Sequence, residues 1–167
     1  LNNDLHAGVP GKVPDGNYYS NLYKGQNWGP STCISLGIGQ GELLVTPIQL
    51  ANYTAILANR GHFFTPHIIK DAKGTCSIKE YLEFVLRKKR FSEMHNVSIS
   101  KNYFEYVIKG MERVLEGFHG TAKKSRITNL KICGKTGTVE NYKNKIKQID
   151  HSVFTAFSPK NQPKIAI

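Results

Sequence analysis

Lys131-Ile132-Cys133-Gly134-Lys135-Thr136-Gly137-Thr138-Val139-Glu140 reads as a β-strand, and it is the stretch around which the rest of the chain can be organised. A two-residue period puts the hydroxyls of Thr136 and Thr138 on one face of such a strand. Gly137 between them lets a peptide-like molecule lie close to the backbone, and Lys135 adds positive charge for an anionic group. Lysine, hydroxyl, glycine and hydroxyl in succession make a receptor for an acyl substrate that carries a carboxylate. K-T-G alone recurs by chance, so its weight depends on what surrounds it.

Downstream, His151 to Phe157 reads as a second strand. Ser158-Pro159-Lys160-Asn161 places Ser first and Pro second in a type I turn. That turn leads into a third strand, Pro163 to Ile167, and strands joined so tightly are antiparallel. Upstream, Asn102 as N-cap with Glu105 three residues on predicts a helix that ends at Gly117. Phe104, Val107, Ile108, Met111, Val114 and Leu115 form its single apolar stripe, suited to packing on a sheet. Thr46-Pro47 with Gln49 combines an N-cap, a first-turn proline and a capping-box partner. A largely apolar, buried helix is expected from there, closed by Gly61 as a left-handed cap. Phe63 to Ile69 is β-like, broken by Pro66 and closed by a turn over 71–74. Residues 75–100 fit helix or strand equally, and residues 1–33, rich in Gly, Pro, Asn and Tyr, are expected as loop with Gly29-Pro30 among the turn formers.

At 167 residues, 18.7 kDa and 40% apolar content, the chain is long enough for one domain with a real core, and disorder is excluded for most of it. No apolar run approaches the roughly 18 residues of a membrane helix. The balance of 23 Lys and Arg against 12 Asp and Glu leaves +11. An anionic partner would suit that charge, as would a lysine-rich solvated surface. The run Arg87-Lys88-Lys89-Arg90 has no aromatic residues woven through it and reads as solvated surface, so nucleic acid is not expected as a partner. Cys33, Cys76 and Cys133 are an odd number without C-x-x-C spacing. Six histidines without ligand spacing give no metal site, and no cofactor is expected. The start at Leu1 and the apolar run Lys164 to Ile167 at the end read as an excised piece of a longer polypeptide.

Three further segments accompany the K-T-G-T strand. They are Ile38-Gly39-Gln40-Gly41-Glu42-Leu43-Leu44-Val45-Thr46-Pro47-Ile48-Gln49-Leu50-Ala51, then Gly120-Thr121-Ala122, and after the strand Asp150-His151-Ser152-Val153-Phe154-Thr155-Ala156-Phe157-Ser158-Pro159. In this order they resemble the class B penicillin-binding proteins, transpeptidases of bacterial cell-wall synthesis, and most of all their elongation-specific members. K-T-G is one of three motifs of such serine acyl enzymes, beside S-x-x-K and S-x-N. The one literal S-x-N, Ser100-Lys101-Asn102, overlaps the start of the helix read from Asn102 to Gly117. The one S-x-x-K, Ser98-Ile99-Ser100-Lys101, stands on the wrong side of the G-Q-G segment and reads as accidental, so no nucleophile is expected in this chain.

The resemblance implies an α+β fold, an antiparallel sheet with flanking helices, of which residues 1–167 would be the C-terminal portion of the transpeptidase domain, truncated at both ends. It implies acyl transfer from a peptidoglycan stem peptide ending in D-Ala-D-Ala, with β-lactams as acylating mimics and the fragment inactive alone. Thr138 would contribute its backbone N–H to the oxyanion hole. Thr136 and Thr138 would hold the carboxylate beside Gly137, and Lys135 would supply positive potential. Asp150 and His151 would be structural. Also implied are a membrane glycosyltransferase of the elongation machinery as partner, and a place in the periplasm on an inner-membrane anchor outside this segment. Another K-T-G acyl enzyme (septal transpeptidase, carboxypeptidase or β-lactamase) and a basic polyanion-binding module are the alternatives.

Overall fold

Along the chain run helices α1 (Gly16–Leu22), α2 (Pro30–Gly37) and α3 (Pro47–Ala58), strand β1 (His62–Phe64), helix α4 (Ile78–Phe91), strand β2 (Met94–Asn96) and helix α5 (Lys101–Glu116). A short 3-10 turn at Lys123–Ser125 precedes β3 (Cys133–Val139), β4 (Tyr142–Lys143), β5 (Ile146–Lys147), β6 (His151–Ser158) and β7 (Ile165–Ala166). This computed structural model describes residues 9–68, 77–143 and 146–167. β3, β6 and β7 pair in that order, as expected, while β1–β2 and β4–β5 are separate antiparallel pairs. The architecture is α+β. No helix among the described residues is long and apolar enough to cross a membrane.

The chain divides into two compact units. The first joins Pro47–Thr136 to Phe154–Ile167, and the second joins Val9–Thr46 to Gly137–Val153.

In the first unit the buried stripe of α5 is Phe104, Ile108, Met111 and Leu115. Spacings of four, three and four residues keep these side chains on one face. Val107 is exposed and Val114 half-buried, so the stripe is narrower than the sequence suggests. Phe104, Ile108 and Met111 join Leu57 and Ala58 of α3, Cys133 of β3 and Phe157 of β6 in one core. The expected packing of this helix on the sheet is therefore present. α5 starts one residue before Asn102, with extended Ser100 as its N-cap, because Lys101 already has helical geometry.

α3 starts at Pro47 as its end signals require, and it closes on two positive-φ residues, Arg60 (φ 58°) and the expected Gly61 (φ 105°). The amides of Arg60 and Gly61 close back on the carbonyls of Leu57 (3.1 Å) and Ile56 (2.9 Å), the Schellman pairing. Arg60 tolerates the position because its guanidinium is tied down, Nε to Glu105 at 2.7 Å and Nη1 to the Ala58 carbonyl at 2.8 Å.

β1 is shorter than the β-like run. The run's last residue and its closing turn lie outside the described residues, as does Cys76. Helix wins in 78–91, where Ser77 and Glu80 form a capping box: the Ser77 amide donates to Glu80 Oε2 at 2.8 Å and the Glu80 amide to Ser77 Oγ at 3.4 Å. That pairing holds the Glu80 carboxyl below the usual carboxylate range. Lys88 and Lys89 are exposed, in keeping with a solvated surface.

The connection after β6 corrects the expected tight turn. Ser158–Pro159 is a cis bond, and the Lys164 amide returns to the Ser158 carbonyl at 2.9 Å only after a longer loop. Two tethers hold that loop open: the Lys160 amide donates to the Lys131 carbonyl at 3.0 Å, and Lys160 Nζ to Glu112 at 2.7 Å.

In the second unit, the expectation of loop through residue 33 is overturned by α1 and α2. The Asp15 side chain caps α1 by accepting from the Tyr18 amide at 2.7 Å, and Pro30 opens α2 rather than a turn. Tyr19, 2% exposed, packs with Tyr18, Tyr23 and Trp28 and donates its hydroxyl to Glu42 at 2.8 Å. Burial, reinforced by the bond to Glu42, pushes the phenol up to about 12. Reciprocal backbone bonds between Lys12 and Leu44, 2.7 and 2.9 Å, tie the start of this unit to its G-Q-G segment.

Candidate functional site: an edge strand carrying Lys-Thr-Gly-Thr

β3 is the outer strand of its sheet. Its approach to β6 depends on Gly134, which is buried: a Cβ there would stand 2.6 Å from Cζ of Phe154 and 3.2 Å from the Thr155 carbonyl oxygen. Alternation then sets the direction of every backbone group. Ala156 exchanges both of its backbone bonds with Ile167 (3.0 and 2.8 Å), so it faces β7, and Val153 and Thr155 face the other way, towards β3. Gly137 lies against Val153, 3.9 Å from its Cβ to the position a Cβ would take. The amides and carbonyls of Thr136 and Thr138 accordingly point to the open edge.

In the second unit that edge is not bare. Gln40 Nε2 donates to the Thr138 carbonyl at 3.1 Å, across 98 positions of sequence. The side chain gets there because α2 ends in another Schellman pairing, Gly39 amide to Leu36 at 3.0 Å and Gln40 amide to Ser35 at 2.9 Å. Gly39 (φ 78°) and Gly41 (φ 75°) are both left-handed and bracket Gln40. Such dihedrals cost glycine least.

In the first unit, Thr136 is half-buried and its Oγ1 lies 3.0 Å from Thr121 Oγ1. Thr121 is brought there as the chain leaves α5, where the Gly120 amide donates to Gly117 at 3.0 Å and the Ala122 amide to Val114 at 3.0 Å. Lys135 is exposed, and its Nζ bends onto the Thr136 carbonyl, which faces the same edge.

The four predicted residues thus stand on one strand: Lys135, Gly137 and Thr138 exposed, Thr136 steadied by Thr121. Gln40 and Thr121 were not singled out by sequence reasoning, although a polar residue between two glycines and the Gly120-Thr121-Ala122 triplet were the available signals.

Ser98 is exposed, and no hydrogen bond joins it to Lys101. Cys33 and Cys133 are free thiols, and burial pushes Cys133 up to about 11, so it is protonated at neutral pH. Asp150 is half-buried, with Oδ2 3.9 Å from Lys147 Nζ. Among the described residues no three His, Cys, Asp or Glu side chains cluster as metal ligands would.

An outer strand with outward amides can take up an extended acyl chain alongside it, with hydroxyls and an ammonium at hand for its carboxylate. A family model described as the penicillin binding protein transpeptidase domain matches residues 3–167. The chain belongs to the penicillin-binding protein transpeptidase family. The relatives are of the kind the sequence resembles. Peptidoglycan D,D-transpeptidase MrdA of Haemophilus influenzae is 29% identical over 98% of this chain, and penicillin-binding protein 2B of Streptococcus pneumoniae is 31% identical over 73% of it. The match covers 26% and 18% of those relatives' own lengths, so the chain spans about a quarter or less of each. Among solved structures, Pseudomonas aeruginosa PBP2 in complex with WCK 5153 superposes at a TM-score of 0.75, with 32% identity over 98% of this chain and 33% of that one. Helicobacter pylori PBP2, solved as a complex with MreC, gives 0.74, with 27% identity over 98% and 28%. The class B penicillin-binding fold expected from the sequence is thereby established for this chain.

Proposed function

We propose that the protein containing this chain is a serine-type peptidoglycan D,D-transpeptidase of cell-wall elongation, and that residues 1–167 are the C-terminal portion of its transpeptidase domain. The observation that carries the proposal is the outward direction of Thr136 and Thr138 on an outer strand. A serine supplied by the remainder of the domain attacks the penultimate D-Ala carbonyl of a stem peptide. The terminal D-Ala leaves with a proton, and an amine from a second stem then takes the acyl group and releases the serine. The Thr138 amide, facing the open edge, stabilises the oxyanion as the carbonyl carbon becomes tetrahedral. The Thr136 and Thr138 hydroxyls hold the carboxylate of the donor or of a β-lactam, Gly137 leaves the backbone open to it, and Lys135 contributes positive potential.

The catalytic domain then works in the periplasm on an inner-membrane anchor, with a membrane glycosyltransferase supplying the glycan strand. The test is acylation of the full-length protein by a labelled β-lactam. Thr138→Pro removes an oxyanion donor, a loss typically worth on the order of 10²- to 10³-fold in rate, and Lys135→Ala is expected to slow acylation as well. Replacing Lys88 and Lys89 by Ala should leave the rate near wild type. Equal losses from both sets, with folding verified, would shift the activity from the strand to the general positive surface.

A further inference from the structure

We propose that Gln40 is a positioning residue for this strand: by occupying the Thr138 carbonyl it fixes the Thr138 amide towards the substrate and ends the stretch of edge available for strand addition at that residue. The inference rests on the reading of Thr138 as an oxyanion donor.

The amide and carbonyl of one residue in an antiparallel strand point to the same side. Holding the Thr138 carbonyl at 3.1 Å therefore also aims the Thr138 amide, which among the described residues has no neighbouring strand on that side to align it. The holder is itself immobilised. Gln40 follows a Schellman-closed helix, sits between two left-handed glycines, and belongs to a segment pinned through Lys12 and Leu44 and through the Tyr19 hydroxyl on Glu42. Its side chain extends a short rigid arm to the strand in place of a further β-strand. An incoming acyl chain finds the Thr138 amide open but the Thr138 acceptor already taken by Gln40, while the Thr136 carbonyl accepts only from the exposed, flexible Lys135 ammonium. Pairing therefore stops where the reacting carbonyl must sit, next to the oxyanion donor.

The experiment uses the full-length protein, comparing Gln40→Ala and Gln40→Glu with wild type and separating the acylation rate constant from affinity for the pre-covalent complex with a labelled penicillin. One net hydrogen bond corresponds to roughly 2- to 12-fold, expected in the acylation step with little change in affinity. Near neutral pH the introduced carboxylate cannot donate. Around pH 4.5 a good fraction is protonated and can, so Gln40→Glu should recover towards wild type as pH falls while Gln40→Ala does not. Hydrogen exchange over residues 137–140 should quicken in Gln40→Ala whether or not the protein is acylated. Wild-type acylation rates and unchanged exchange in Gln40→Ala would overturn the proposal. So would equal, pH-independent losses in both variants with lowered thermal stability, which describe a merely structural residue. If Thr138→Pro is acylated normally while exchange still quickens in Gln40→Ala, the oxyanion reading fails and the positioning contact stands.

Discussion

Replacing Gly134 by alanine tests the close approach on which the outer strand depends. The added methyl would stand 2.6 Å from Phe154 Cζ, 2.9 Å from Cε2 and 3.2 Å from the Thr155 carbonyl oxygen. Ordinary contact begins near 3.5 Å, so the ring must withdraw by about 1 Å, and the backbone of β6 by a few tenths. Phe154 is 41% exposed and can swing outward, which limits the cost; Thr155 cannot move without carrying its strand. Overpacking of this kind costs about 1–3 kcal/mol. In a chain of this size each kcal/mol shifts Tm by roughly 2–4 °C. Calorimetry of Gly134→Ala should therefore show a Tm lowered by roughly 2–12 °C. Gly110→Ala is the internal control, because the same methyl in mid-α5 meets no atom within 4 Å and replaces a poor helix former. It should stabilise by about 0.5–1 kcal/mol. Adding Phe154→Ala to Gly134→Ala should recover part of the loss. A neutral or stabilising Gly134→Ala would refute the packing argument.

Ile108, with no exposed surface, lies at the middle of the α5 core. Ile108→Ala should cost about 2–5 kcal/mol by denaturant unfolding, whereas Val107→Ala on the exposed side should fall within about 0.5 kcal/mol. The Tyr19 phenol, raised to about 12 from the usual 10, binds its proton more tightly in the folded chain than in the unfolded one. Its contribution is complete below about pH 10 and is lost as pH rises through about 12. Tyr19→Phe should flatten that alkaline fall in a stability profile, and an unchanged profile would count against the buried Tyr19–Glu42 pair. Under a thiol reagent Cys33 should react in the native protein and Cys133 only as it unfolds, since the first is exposed and the second buried.

What could be read in advance tracks how strongly each segment repeats. α5 and the start of α3 were visible because apolar spacing and end signals agreed, and β3 and β6 because their residues favour strand. α1 and α2 were missed because Gly and Pro were weighed as turn formers, while Asp15 and Pro30 act as helix starts. α4 was ambiguous by periodicity, although Ser77 and Glu80 stand at capping-box spacing. The β4–β5 pair, two residues a side, is too short to leave a pattern. At the site, the residue types of Lys135 to Thr138 were legible. The partners that orient them were not: Thr121 and Gln40 reach the strand through tertiary folding, Gln40 from 98 positions away, and no local pattern encodes that contact.

The most direct measurement is intact-mass and peptide mass spectrometry of a labelled penicillin reacted with the full-length protein, and separately with residues 1–167. The account predicts one adduct per full-length molecule, on a serine outside these 167 residues, sharply slowed by Thr138→Pro, and none on the isolated chain, including at Ser98. A stoichiometric adduct on any serine within residues 1–167 would contradict it.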